Sequence, residues 1–321
     1  MKFTLAVIFA TVYGLVTRLL FGAFDEFMSI MGIVFLGLIP LIVGFLTVFP
    51  ISANKKINGA AAFFLPWLTS VVILIVTVAL NVEGTICWVL IFPFFATFAG
   101  LGGLIAMAIR NKRDKNNQEP PKPTVLNISL ALFIPLIAGY FEGNRTLSPE
   151  QMTITQEIII PVSKEQVWNV LTNINELKQE ERSSSFSHWL GFPHHISTTL
   201  DSAKTGGKRI ACYEKGLCIE ETIISCKEKE NMLLRVDVDP SKVPPNVMDE
   251  HIVIGGKYVD ILEDSYSLEE LSSGTTRLKL SSKFVINTPF NWYAGIWSKY
   301  LMKDILSGEL ALINKRCNNL K

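Results

Sequence analysis

Lys208-Arg209-Ile210-Ala211-Cys212-Tyr213-Glu214-Lys215-Gly216-Leu217-Cys218-Ile219-Glu220-Glu221-Thr222-Ile223 is the stretch on which the second half of this chain turns. Glu214-Lys215-Gly216 suits a three-residue hairpin loop with Gly216 in the left-handed conformation. That register sets Tyr213 opposite Leu217, Cys212 opposite Cys218, Ala211 opposite Ile219 and Arg209 opposite Glu221. Strand alternation then puts Arg209, Ala211, Tyr213, Leu217, Ile219, Glu221 and Ile223 on one face. The other face carries Lys208, Ile210, Cys212, Glu214, Cys218, Glu220 and Thr222. The first is the more apolar and is expected to face the interior, which carries Arg209 and Glu221 inward as directly opposed charges. Cys212 and Cys218 then oppose each other on the outer face, with Cβ atoms about 4.5–5.5 Å apart. A disulfide needs about 3.5–4.5 Å, so an oxidising compartment would favour a bond there and a cytoplasmic one a reduced pair.

Working outward, Met152 to Ile160 reads as a strand. Ser163 is a helix N-cap with Gln166 three residues on, and Val167, Val170 and Leu171 give that helix one apolar face. Ile174 to Lys178 suggests a short second helix. Asn231 to Val238 alternates as a strand, and a proline-containing insertion follows (Pro240 to Gly256). Tyr258 to Leu271 and Thr275 to Ile286 form a long hairpin, with Leu278, Leu280, Ser282, Phe284 and Ile286 sharing a face. The chain closes on a helix over about Asn291 to Cys317. Its stripe of Tyr293, Ile296, Trp297, Tyr300, Leu301, Ile305, Leu306, Leu310 and Ile313 suits either a core or one wall of an apolar cavity.

A strand, one or two short helices, an antiparallel run of strands and a long terminal helix resemble the START-like helix-grip superfamily. More narrowly they resemble its SRPBCC branch of polyketide cyclase/dehydrase and lipid-transport domains. The resemblance covers about residues 151–321. It rests on Ile158-Ile159-Ile160-Pro161-Val162-Ser163-Lys164-Glu165-Gln166-Val167-Trp168, on the hairpin with its preceding Gly206-Gly207, and on the aromatic terminal helix. It implies an α+β fold in which the sheet wraps the terminal helix around an apolar cavity. Ligand-facing positions are then implied at Arg209, Tyr213, Ile219, Glu221, Phe284, Trp297 and Tyr300. The implied function is binding or handling of a hydrophobic small molecule or lipid. A cyclase- or hydrolase-type enzyme using the same cavity, or a non-catalytic interaction module, are the alternatives.

The first half is different in kind. Residues 1–150 carry 10 Lys/Arg and 7 Asp/Glu, against 20 and 22 in the remainder, and mean hydropathy over the chain is +0.33. Five apolar stretches, 3–20, 28–49, 59–80, 85–109 and 124–141, are expected to form a multi-pass membrane region over residues 1–142. A cleaved signal peptide is the rival reading of the first. Lys55, Lys56 and the basic loop 110–123 fall on alternate connections, so those loops are expected to be cytoplasmic. Five crossings of a cell (inner) membrane would then put the C-terminal domain outside the cytoplasm. Arg18 is expected to snorkel to the outer interface. Pairs such as Ala10 with Gly14 and Ala99 with Gly103 suit close helix packing.

Near-neutral net charge gives no nucleic-acid footprint. His188, His194, His195 and His251 lack metal-ligand spacing, and no nucleophile elbow, phosphate loop or Cys-x-x-Cys is present. No cofactor is expected; the expected partners are membrane lipids and an apolar small molecule.

Overall fold

The structure is a computed structural model. It describes all residues except 1–2, 25, 52–56, 116–124, 183, 245–246, 248–251, 273 and 320–321, and the side chains of all these but 85, 113–115, 125–132 and 272. Asp25, Lys55, Lys56, His251 and most of the basic loop thus lie outside the described residues. The chain divides into two compact units, Met1–Leu147 and Ser148–Lys321.

The first unit contains α1 (Phe3–Ala23), a π-helical turn (Val34–Leu38) running into α2 (Ile39–Val48), α3 (Gly59–Ala79), α4 (Thr85–Lys115) and α5 (Val125–Glu142). Among the described residues three helices are long and apolar enough to cross a membrane: Phe3–Ala23, Gly59–Ala79 and Ile86–Lys112. The stretch expected as a span over 28–49 is helical only across Val34–Val48, about 22 Å at the usual helical rise.

Backbones meet closely where side chains are small. A Cβ on Gly44 would fall 1.7 Å from the Ala99 carbonyl oxygen, and one on Gly102 would fall 1.9 Å from that of Leu41. The α2–α4 contact is therefore built on glycine, whose missing side chain lets two helix backbones approach closely.

Arg18 departs from expectation. It is buried, bonds to the Glu83 carboxylate through Nε, and donates to the Val82 carbonyl at 3.3 Å. A pair between the ends of α1 and α3 satisfies the guanidinium inside the bundle, and a buried charge is tolerated on those terms. At the opposite end of the bundle Arg110 Nη1 donates to the Val48 carbonyl, 2.9 Å. The Glu142 carboxylate at the end of α5 accepts from the Ile33 and Val34 amides (2.6 and 2.9 Å). The C-terminal ends of α1, α3 and α5 thus gather at one end of the bundle and those of α2 and α4 at the other.

The second unit is an eight-stranded antiparallel sheet with a long helix. Its strands are β1 (Pro149–Ile160), β2 (Asn175–Glu176), β3 (His195–Leu200), β4 (Lys208–Tyr213), β5 (Cys218–Lys227), β6 (Asn231–Asp237), β7 (Val259–Ser272) and β8 (Thr275–Asn287). Their order is β1-β8-β7-β6-β5-β4-β3-β2. After β1 comes α6 (Lys164–Thr172), started by a capping box between Ser163 and Gln166. Residues 174–178, expected as a helix, instead contribute the two-residue edge strand β2, paired with β3. A short α7 (Phe186–Leu190) precedes β3, and α8 (Asn291–Asn318) ends the chain.

The β4–β5 register is Arg209↔Glu221, Ala211↔Ile219 and Cys212↔Cys218. Gly216 has φ +82 and Lys215 φ +61, so two consecutive left-handed residues turn the hairpin. Cys212 and Cys218 form a disulfide, with Cα atoms 4.1 Å apart.

The main core joins Val167 and Leu171 of α6, inner-face residues of β1 and β5 to β8, and Leu306, Leu310 and Ile313 of α8. A second apolar cluster holds Leu217, Ile219, Val236, Val247 and Ile254, with Tyr213 packed against it. Of the α8 stripe, Leu301, Leu306, Leu310 and Ile313 are buried, whereas Ile305 is exposed and Ile296 and Tyr300 are 62% and 52% exposed.

Candidate functional site

On β5 the inward positions run Ile219, Glu221, Ile223. Ile219 belongs to the second apolar cluster and Ile223 to the main one, so Glu221 sits where the two meet. Arg209, its ladder partner on β4, is equally buried, and its Nη1 donates to Glu221 Oε2 at 2.7 Å. Alternation forces both inward, and removing either alone would leave an uncompensated buried charge.

The pair is part of a larger group. Arg209 Nη2 lies 3.6 Å from Glu309 Oε1 on α8, and the Tyr266 ring of β7 lies 5.5 Å from the guanidinium carbon, in cation–π range. His195 Nδ1 is 3.3 Å from Glu309 Oε2, within ion-pair distance but not aligned as a hydrogen bond. Its Nε2 lies 2.7 Å from Thr198 Oγ1 and 3.1 Å from the Ser197 carbonyl. Asp264 of β7 stands opposite Ser282 of β8 and completes the group.

Burial dominates the electrostatics here. It pushes the Asp264 carboxyl up to about 7, with Glu221 adding to the rise while the nearby Ser282 hydroxyl and Arg209 oppose it. Burial also works to raise Glu309, but His195 and Arg209 outweigh it and hold that carboxyl below the ordinary value. The Tyr213 and Tyr266 phenols are raised, chiefly by burial, and stay neutral. Five buried polar atoms here have no hydrogen-bond partner among the described residues: Arg209 Nε, His195 Nδ1, Glu309 Oε1, Asp264 Oδ1 and Ser282 Oγ. Natural interiors leave few such atoms, and each one requires a reason.

The residues singled out from sequence are distributed unevenly. Arg209 and Glu221 form the centre of this group; Tyr213 and Ile219 lie toward the second cluster; Phe284 is buried in the main core. Tyr300 departs from expectation. It is half exposed and meets Phe186 of α7 edge-on at 5.3 Å, so it faces away from the interior. Trp297 is half-buried, one turn nearer the helix start.

Sequence reasoning missed His195, Asp264, Tyr266 and Glu309. Two signals were there to be read. Glu309 lies three residues after Leu306 and four before Ile313, on the buried stripe of α8. Asp264 alternates with Tyr266 and Leu268 on the inner face of β7.

No family model and no curated protein matches the sequence. Solved structures similar to the chain include a START superfamily protein from Mycobacterium smegmatis, at 11% identity and TM-score 0.35, covering 53% of this chain and 99% of that one. Norcoclaurine synthase from Thalictrum flavum, in complex with dopamine and hydroxybenzaldehyde, is 12% identical at TM-score 0.34, covering 54% and 90%. A protein from Bacillus thuringiensis is 17% identical at TM-score 0.30, covering 51% and 98%. On its own strand order and its closing helix, the unit Ser148–Lys321 has a helix-grip fold.

Proposed function

We propose that this chain is a membrane-anchored helix-grip protein whose residues 151–321 bind an apolar small molecule or lipid between the sheet and α8. The observation that carries this reading is the buried ionisable group at the meeting of two apolar clusters, with polar atoms that have no hydrogen-bond partner among the described residues. Such a place suits a ligand that is apolar along its length and polar at one point. Arg209 and Glu221 are the proposed polar contacts, and Tyr213, Ile219 and Phe284 the apolar ones. Trp297 is assigned to the rim.

The helices of the first unit are the proposed anchor in a cell membrane, and the basic loop 110–123 the cytoplasmic side. The end of α5 lies at the opposite end of the bundle from the end of α4, which supports five crossings and a C-terminal domain outside the cytoplasm. The Cys212–Cys218 disulfide agrees with an oxidising compartment.

Solvent extraction of the purified full chain tests the ligand reading. One apolar molecule should be enriched over bulk lipid in the wild type. It should fall at least tenfold in the Arg209→Leu/Glu221→Leu double variant, which removes both charges together and spares the fold an unpaired one. Extracts that match bulk lipid in both proteins would overturn the reading.

A further inference from the structure

The buried group is not balanced by its own members. Three carboxyl groups, Glu221, Glu309 and Asp264, meet one guanidinium, Arg209, and one imidazole, His195. Arg209 is shared between Glu221 at 2.7 Å and Glu309 at 3.6 Å, and His195 also turns to Glu309. Asp264 has no cation within ion-pair distance among the described residues. Its Oδ1, Glu309 Oε1 and the hydroxyl of Ser282, a residue 1% exposed, are buried without a hydrogen bond among the described residues, with Arg209 Nη2 3.6 Å from Glu309 Oε1 and Ser282 opposite Asp264 on the neighbouring strand; the Arg209 Nε donor is likewise unpartnered.

An anionic head group brought here would meet carboxylates in a low-dielectric interior, where repulsion between like charges is strongest. A hydroxyl brings a single donor. An ammonium group brings three donors, no acceptor and one positive charge, which matches both the unpartnered acceptors and the uncompensated carboxyl. These unpartnered atoms come from three separate elements, β7, β8 and α8.

We propose that the apolar molecule taken up by this domain carries a protonated amine as its polar end, held between Asp264 and Glu309, and that anionic amphiphiles of the same shape are excluded. This rests on the ligand-binding reading above and narrows it to one chemical class. With an amine as the polar end, Arg209 is a positioning residue and not itself a polar contact: by holding Glu221 and Glu309 it fixes where the carboxylate oxygens stand. No bond is made or broken.

Three probes that differ only at the polar end test the assignment: 4-phenylbutylamine, 4-phenylbutan-1-ol and 4-phenylbutyrate. Each is titrated calorimetrically at pH 8 into the full chain in nanodiscs, with empty nanodiscs of the same lipid subtracted. The amine should bind at least tenfold more tightly than the acid, with the alcohol between them. Asp264→Asn and Glu309→Gln should each shrink the amine-to-acid ratio to threefold or less. If either variant fails to fold, judged by circular dichroism, the wild-type ratio decides by itself. An acid that binds as tightly as the amine overturns the assignment, as does the absence of saturable binding by all three probes. Neither outcome touches the extraction test, so failure of the amine assignment is distinguishable from failure of ligand binding itself.

Discussion

At the scale of single residues, charge is kept inside this apolar domain by pairing. Arg209 and Glu221 face each other because one hairpin register puts them there, and each is what makes the other tolerable. Glu221→Ala should destabilise the domain by about 3–5 kcal/mol, since it leaves a buried guanidinium short of its partner, whereas the paired replacement by leucines should cost much less. Chemical denaturation of the full chain, followed on the domain's tryptophans, separates the two.

Asp264 gives a pH dependence with a definite sign. Its folded value, about 7, lies above the unfolded one near 3.8. Folding therefore favours the protonated form. The associated stability is complete below about pH 4 and is lost as pH rises through 7. Asp264→Asn should remove that loss, so its stability relative to wild type should climb between pH 4 and 7 and level off above. A wild type equally stable at pH 5 and pH 8, with no change in the variant, would show that Asp264 titrates normally.

At the scale of elements, the hairpin was legible from residue types alone. A glycine at the end of a three-residue loop and alternation on both arms leave only one register that buries the apolar face. The disulfide follows from that register, with Cα atoms 4.1 Å apart. It closes a short loop, so Cys212→Ala/Cys218→Ala should lower domain stability by only about 1–2 kcal/mol, a few degrees in the thermal midpoint. A much larger loss would mean that the bond holds more than the hairpin.

Other elements were not legible. Residues 174–178 look helical in isolation, but pairing with β3 draws Asn175 and Glu176 into the sheet edge. On α8 the buried line runs through Gly295, which packs against Met152 and Ile286 of the sheet, to Leu301, Leu306, Leu310 and Ile313, and Ile296 and Tyr300 are exposed because they lie on a face of the helix that the sheet does not cover. Periodicity shows which face is apolar, not how far a partner surface extends. Asp264, His195 and Glu309 come from β7, β3 and α8, and only the closed fold brings them to Arg209.

At the scale of the whole molecule, glycine contacts and the buried Arg18–Glu83 pair organise the first unit. Gly102→Leu would drive a side chain into the Leu41 carbonyl and should abolish stable accumulation of the full chain in membranes, measured by quantitative immunoblot. The proposed orientation is open to cysteine labelling on a cysteine-free background, with reporters at Ser148 and Lys321. An impermeant reagent should label both in intact cells; labelling only after permeabilisation would put the domain in the cytoplasm.

The central claim is that the helix-grip domain holds an apolar molecule against a buried charged group. Native mass spectrometry of the full chain, released separately from two chemically unrelated detergents, tests it most directly. The account predicts one adduct per chain, of the same mass from both detergents, lost in the Arg209→Leu/Glu221→Leu variant. A bare chain, or adducts whose mass follows the detergent, would contradict it.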